Sequence, residues 1–142
     1  MPFKTRVKIR FFHADSAGIM FYGNLYVLAH EVFEEFAVAA GFAWEDWFAN
    51  PEMGIPFKKV DADYFRPHLP GTELEAHLYI ESIGESSFVS RYRFFNPEGD
   101  LLSELRVVNV FMAYRTLSKM PVPEPVRRRL EPLVETAPPL KN

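Results

Sequence analysis

Along residues 4–12 apolar and charged side chains alternate, with Val7, Ile9 and Phe11 on one side of an extended chain and Lys8 and Arg10 on the other. A two-residue period is that of a strand with one buried face. Over residues 24–40 the period changes. Leu25, Leu28, Val32, Phe36 and Ala39 recur at helical spacing, and Gly41 stands where a C-terminal cap belongs. Val27, Phe33 and Val38 occupy the other sides and leave a narrow polar band near His30, Glu31, Glu34 and Glu35, so the pattern predicts a helix enclosed by other structure.

Residues 42–54 mix Trp44, Trp47 and Phe48 with Asn50-Pro51-Glu52, which predicts an irregular or short helical connection whose aromatics cover something. Four segments rich in β-branched and aromatic residues follow at 55–66, 72–83, 86–95 and 101–115, separated by Pro-Gly, Gly84 and Asn96-Pro97-Glu98-Gly99. In the second of these, Leu74, Ala76, Leu78 and Ile80 alternate with Glu73, Glu75, His77 and Glu81, one face for the core and one for water or a partner. The last is nearly continuous in apolar residues from Leu105 to Tyr114, interrupted by Arg106 and Asn109, and reads as a central strand covered on both faces. A proline-rich stretch leads to a short helix over 126–134 with Arg127, Arg128 and Arg129 on its wet side, and Pro138, Pro139, Lys141 and Asn142 should fray. One strand, one helix and four strands in series predict an α+β single domain over 1–142, an antiparallel sheet curled round a helix.

Composition narrows the chemistry. With 16 basic against 19 acidic residues there is no basic field to hold nucleic acid or an anionic membrane, which leaves small-molecule work. The absence of cysteine removes disulfides, thiol nucleophiles and thiolate zinc sites. The start of the chain does not read as a signal peptide and no stretch suits a bilayer span, so a soluble, cytoplasmic protein is expected. No metal site is expected from histidines scattered at 13, 30, 68 and 77.

The run Asp15-Ser16-Ala17-Gly18-Ile19-Met20-Phe21-Tyr22-Gly23-Asn24 leads into the predicted helix. Read locally it is turn chemistry, Asp15 a cap and Gly18 a source of positive φ. Free N–H groups at the start of the helix, with its positive dipole end, are also able to polarise a carbonyl. A second block, Tyr64-Phe65-Arg66-Pro67 followed by Pro70-Gly71-Thr72, accompanies it. Together these resemble the 4-hydroxybenzoyl-CoA thioesterase family of acyl-CoA hydrolases over nearly the whole chain. The resemblance implies a hotdog fold, a five-stranded antiparallel sheet wrapped around one long central helix, and hydrolysis of an acyl-CoA thioester. It makes Asp15 the nucleophile or the general base, two roles the sequence leaves open, and it puts the carbonyl donor at the Tyr22 amide, with Gly18 in the catalytic loop.

Substrate-binding candidates are His13, Asn24, His30, Glu31, Arg66, Arg115 and Lys119. His13-Ala14 stands where the family often has an acid or glycine, and His13 either tunes Asp15 or bonds to the backbone. His30 and Glu31 lie where the family commonly has acids near the acyl group; a histidine there weakens a para-hydroxybenzoyl preference, and the alternative is an i,i+4 pair of His30 with Glu34. The resemblance places CoA nucleotide contacts near Arg115 and Lys119, with Lys58, Lys59, Arg91 and Arg93 as further candidates; for each the alternative is a solvated charge. Asp61 and Asp63 fall on one face of a strand and read as a solvated face. No cofactor is implied, since CoA is part of the substrate. An exposed strand edge and apolar face call for a homodimer at least, and the resemblance implies a homotetramer. Two other readings stay open: a hotdog acyl-CoA hydratase or dehydratase using His13 or His30, and a non-catalytic acyl-ligand binding module.

Overall fold

The computed structural model describes residues 1–47 and 50–141; Phe48 and Asn142, both named above, lie outside them. Five strands form one antiparallel sheet in the order β1-β4-β5-β6-β3: β1 (Phe3–Lys8), β3 (Phe57–Tyr64), β4 (Glu73–Ile83), β5 (Ser87–Phe95) and β6 (Leu101–Val110). The alternation in β4 does what its spacing requires, sending Leu74, Ala76, Leu78 and Ile80 into the core. Helix α1 (Asn24–Ala39) spans sixteen residues and buries Leu25, Leu28, Val32 and Phe36. It ends where Gly41 takes φ +82°. Val27 and Val38 stay exposed, so this chain covers one side of the helix and leaves the other open.

The first strand stops four residues short of its predicted end. Val7 and Ile9 are buried as expected, but Phe11–His13 form a 3-10 turn and Phe11 is 84% exposed. The cause is His13, whose Nδ1 accepts the Arg10 N–H at 2.8 Å and bends the backbone out of the sheet.

The last strand is interior, paired with β5 on one side and β3 on the other, but it is not continuous. The middle of the sheet is β5, and β6 lies second from the edge. It breaks at Phe111, where the Val110 and Phe111 amides turn to the Pro56 and Ser86 carbonyls. Beyond the break β7 (Met112–Ala113) joins β2 (Met53–Gly54) and β8 (Ser118–Lys119) in a small second sheet. Asp61 and Asp63 lie exposed on edge strand β3.

β6 is nevertheless largely buried on both faces, because its outward Glu104 is held by two arginines. Arg91 Nη1 donates at 2.5 Å and Arg93 Nε at 2.6 Å; Arg91 Nε also donates to Glu81 at 2.5 Å. Arg93 reaches on to the Pro138 carbonyl at 2.7 Å, so the tail expected to fray is tied to the sheet at that point. Helix α2 (Glu124–Leu130) is shorter than predicted and passes into the 3-10 turn Glu131–Leu133 at Pro132. Its arginines do more than face water: Arg127 donates to the Gly84 carbonyl at 2.7 Å and Arg129 lies 5.0 Å over the Phe42 ring.

Glu104→Gln keeps the shape and removes the charge that two guanidinium groups share. Leaving buried cations short of a partner costs about 3–5 kcal/mol, so the chemical-denaturation midpoint should fall accordingly; a midpoint within error of the native value contradicts this account of the outer face.

Candidate active site

The Asp15 loop is a tight hairpin. Ala14 and Met20 bridge across it, the Asp15 N–H donates to the Ile19 carbonyl, and the Gly18 N–H returns to the Asp15 carbonyl at 3.1 Å. Gly18 takes φ +78°, a conformation that favours glycine. Asp15 Oδ1 accepts the Ala17 N–H at 2.8 Å, which fixes the carboxylate to its own turn, while Oδ2 has no hydrogen-bond partner among the described residues. The local turn reading is therefore correct as structure, and it leaves one carboxylate oxygen exposed for chemistry.

The hairpin is docked rather than loose. The His13 carbonyl accepts both the Phe21 N–H at 2.8 Å and the Asn24 Nδ2–H at 2.7 Å, which pins the loop to the first turn of α1. The second sequence block closes on it from the other side. The Met20 N–H donates to the His68 carbonyl at 2.8 Å, and the Tyr64 hydroxyl donates to the Tyr22 carbonyl at 2.5 Å. Burial, with Tyr26 and Tyr22 nearby, pushes the Tyr64 phenol up to about 12, so it remains a donor across the neutral range.

The helix start has a particular consequence. The Asn24, Leu25 and Tyr26 amides donate to the Phe21, Tyr22 and Gly23 carbonyls, so the first-turn donors are taken. Among the described residues the Tyr22 and Gly23 N–H groups have no partner, and they sit at the positive end of α1.

The other candidates are spread out. His13 is buried with its Nδ1 committed to Arg10, and the Asn24 amide nitrogen is committed to the loop. His30 lies 3.2 Å from Glu34, the i,i+4 pair, and Glu31 is exposed beside it. Arg66 pairs with Asp100 at 3.1 Å. Arg115 and Lys119 belong to the exposed β7–β8 hairpin, with no ion pair among the described residues. Arg91 and Arg93 are spent on Glu104.

What the sequence did not locate is a largely apolar cavity of about 630 Å³ between α1 and the sheet. Val27, His30 and Phe33 line one wall, Phe57, Tyr92 and Leu105 another, and Trp47 and Asn109 also line it. Two signals pointed to it: Asn109 interrupting an apolar run, and the tryptophans of the connection. Of the latter, Trp47 is buried and Trp44 is largely exposed. Asp15 does not line this cavity.

Burial drives both His13 and His68 below the ordinary imidazole value of 6.5. Glu31 opposes this at His13, as does a backbone bond to Arg66 at His68. His68 Nε2 lies 2.8 Å from Ser103 Oγ. An unfolded chain takes up these protons as the pH falls through about 6.5, whereas the folded chain takes them up only lower. Their contribution is thus complete above 6.5 and is lost as the pH falls between that value and the folded ones. Tm should drop by a few degrees, on the order of 3 °C, between about pH 7.5 and 5.5. The double variant His13→Gln, His68→Gln should flatten that slope; an unchanged slope counts against the assignment.

Comparison with known proteins places the fold. The family model described as the thioesterase-like superfamily matches residues 9–130. A 1,4-dihydroxy-2-naphthoyl-CoA hydrolase of Nostoc punctiforme is 30% identical over 92 residues, 65% of this chain and 62% of that one. One from Microcystis aeruginosa is 22% identical over 130 residues, 92% of each chain. The crystal structure of a 1,4-dihydroxy-2-naphthoyl-CoA thioesterase from Synechocystis superposes with a TM-score of 0.86 at 20% identity, covering 94% of this chain and 98% of that one. The five-stranded antiparallel sheet with α1 against it is the hotdog arrangement, and the chain belongs to the thioesterase-like superfamily.

Proposed function

We propose that the protein is an acyl-CoA thioester hydrolase with Asp15 as its reacting carboxylate and the Tyr22 amide, with Gly23 beside it, as the donors that polarise the thioester carbonyl. The observation that carries this reading is one loop holding both an exposed carboxylate oxygen and two unpaired N–H groups at a helix start. Thioester hydrolysis passes through a tetrahedral oxyanion, and fixed donors stabilise that charge without having to reorganise. Asp15 then either takes a proton from the attacking water or attacks the carbonyl carbon itself. In the first case the water oxygen bonds to carbon and CoA leaves as its thiolate. In the second the Asp15 oxygen bonds to carbon and the CoA thiolate leaves, giving a mixed anhydride that water cleaves to the free acid and the Asp15 carboxylate. Gly18 sets the turn that presents the carboxylate.

The relatives' names support an aromatic acyl group, and a cavity of about 630 Å³ lies inside the usual range of about 300–1,000 Å³ for small-molecule sites. Because Asp15 does not line that cavity, we propose that the working site forms between two copies. Exposed Phe11, Phe12, Phe21, Phe57 and Phe65 would supply apolar contact, and the unpaired edge of β3 would supply backbone pairing. A homotetramer of two such dimers follows from the same resemblance, with Arg115 and Lys119 as CoA nucleotide contacts. The His30–Glu34 pair, whose histidine lines the cavity, favours the hydratase reading.

The purified protein should release free CoA from at least one member of a panel of aromatic and aliphatic acyl-CoAs. Light scattering should give at least twice the 16.5 kDa chain mass. No thiol release from any thioester sinks the hydrolase reading. Hydration of an enoyl-CoA without thiol release transfers the case to the hydratase, and a monomer that turns over substrate rejects the shared site.

A further inference from the structure

The two N–H groups left over at the start of α1 belong to successive peptides, and each peptide is held by what its carbonyl accepts. The Tyr22 N–H shares its peptide with the Phe21 carbonyl, which accepts the Asn24 N–H at 2.9 Å. The Gly23 N–H shares its peptide with the Tyr22 carbonyl, which accepts the Leu25 N–H at 3.2 Å and the Tyr64 hydroxyl at 2.5 Å. Among the described residues the first carbonyl is thus held by main chain alone, whereas the second also carries a side chain. The hydroxyl makes the closer of its two bonds, and it arrives from the end of β3, 42 residues along the chain.

A trans peptide is planar, and its N–H points away from its C=O. The Tyr64 hydroxyl therefore fixes the Tyr22–Gly23 peptide from the side opposite the Gly23 N–H and leaves that donor open. A bond accepted by the carbonyl also draws electron density from the nitrogen, and hydrogen bonds in series strengthen one another by roughly 10–30% each. Gly23 has helical dihedrals, φ −65° and ψ −22°, so its N–H adds to the positive end of α1. Tyr64 is braced in turn, its ring edge-to-face with that of His68 at 6.1 Å.

We propose that Tyr64 is a positioning residue: its hydroxyl, bonded to the Tyr22 carbonyl, orients and polarises the Tyr22–Gly23 peptide so that the Gly23 N–H is aimed at the substrate carbonyl. Tyr64 itself touches neither substrate nor reacting atoms in this role. This deepens the hydrolase reading and rests on it for the oxyanion that the donor meets. Without the hydroxyl, water takes its place on the carbonyl in no fixed direction, and the 3.2 Å bond from Leu25 holds the plane alone. Oxyanion donors act by being fixed before the charge develops, so the loss falls on the chemical step rather than on substrate binding. The hairpin stays docked meanwhile, because the Met20 N–H still meets the His68 carbonyl and the His13 carbonyl keeps both its donors.

Tyr64→Phe keeps the ring and removes the hydroxyl. Single-turnover thiol release should slow about tenfold, less than the roughly 10²–10³-fold that loss of a whole oxyanion donor costs. A ketone analogue of the acyl-CoA, with CH₂ in place of the thioester sulfur, should bind with its Kd changed by less than about twofold. Its carbon-13-labelled carbonyl stretch should lie below the free value when bound to native protein and move back toward it in Tyr64→Phe, a shift that a merely structural tyrosine does not produce. A ring-difluorinated tyrosine at position 64 serves if Tyr64→Phe fails to fold. It keeps the hydroxyl but ionises in the assay range, so release should slow as the pH rises through that ionisation, where the native phenol, pushed up to about 12, stays protonated. A native rate in Tyr64→Phe, a rate that falls only in step with weaker ketone binding, an unmoved carbonyl band, or no pH-dependent slowing in the fluorinated protein each overturns the proposal. Native thiol release with an unaltered Tyr64→Phe rate leaves the hydrolase intact. No release by native protein, with the ketone band still shifted through Tyr64, sinks the hydrolase and upholds Tyr64 as the residue that aims the donor.

Discussion

The His13 carbonyl is the joint on which the arrangement turns. It takes two donors, the Phe21 backbone and the Asn24 side chain, and so fastens the Asp15 hairpin to the first turn of α1. The chain can reach that carbonyl only because it leaves the sheet early, at the bend made by the His13 ring and the Arg10 amide. Once it is fixed, the overlap of turn and helix consumes the Asn24, Leu25 and Tyr26 amides and leaves those of Tyr22 and Gly23 over. Donors fixed before substrate arrives are what a developing oxyanion needs. The rigidity comes from hydrogen bonds to the backbone by Phe21, Asn24, Met20 and Tyr64 rather than from Asp15 itself.

The two faces of the sheet divide the remaining work. Toward α1 the side chains are mainly apolar and leave a cavity beside the helix. Away from it Glu81, Arg91, Arg93 and Glu104 form a charged cluster that the tail partly covers at Ala137 and Pro138. Such a cluster adds little net stability as a set, but it is intolerant of losing a member. Burial also holds both His13 and His68 below the ordinary imidazole value, which suits the His13 ring as an acceptor within the loop.

Much of this was legible in the residue pattern. Alternation located β1 and β4, runs of β-branched and aromatic residues located β3, β5 and β6, and a helical period located α1 to within a residue. The Asp15 run and the Tyr64-to-Gly71 block were visible as separate motifs, and the structure brings them together through Tyr64 and His68. Three features were not legible, each for a physical reason. The break at Phe111 interrupts no apolar run, because Val110, Phe111 and Met112 are all apolar and what changes is the hydrogen-bond partner. The tie at Pro138 depends on an arginine 45 residues earlier. The lining of the cavity joins Trp47 to Asn109 through Phe88, a contact that no local period encodes.

The central claim is that the fixed loop works through the Asp15 carboxylate. Single-turnover thiol release by native protein and by Asp15→Asn, with a hydrolysed acyl-CoA at saturating concentration, tests it most directly. The asparagine keeps an oxygen to accept the Ala17 N–H, so the turn should persist with Tm within a degree or two. The chemical step should slow by roughly 10²–10⁴-fold, the usual worth of a positioned acid–base or nucleophilic group. A variant that folds normally and cleaves at the native rate would contradict the claim.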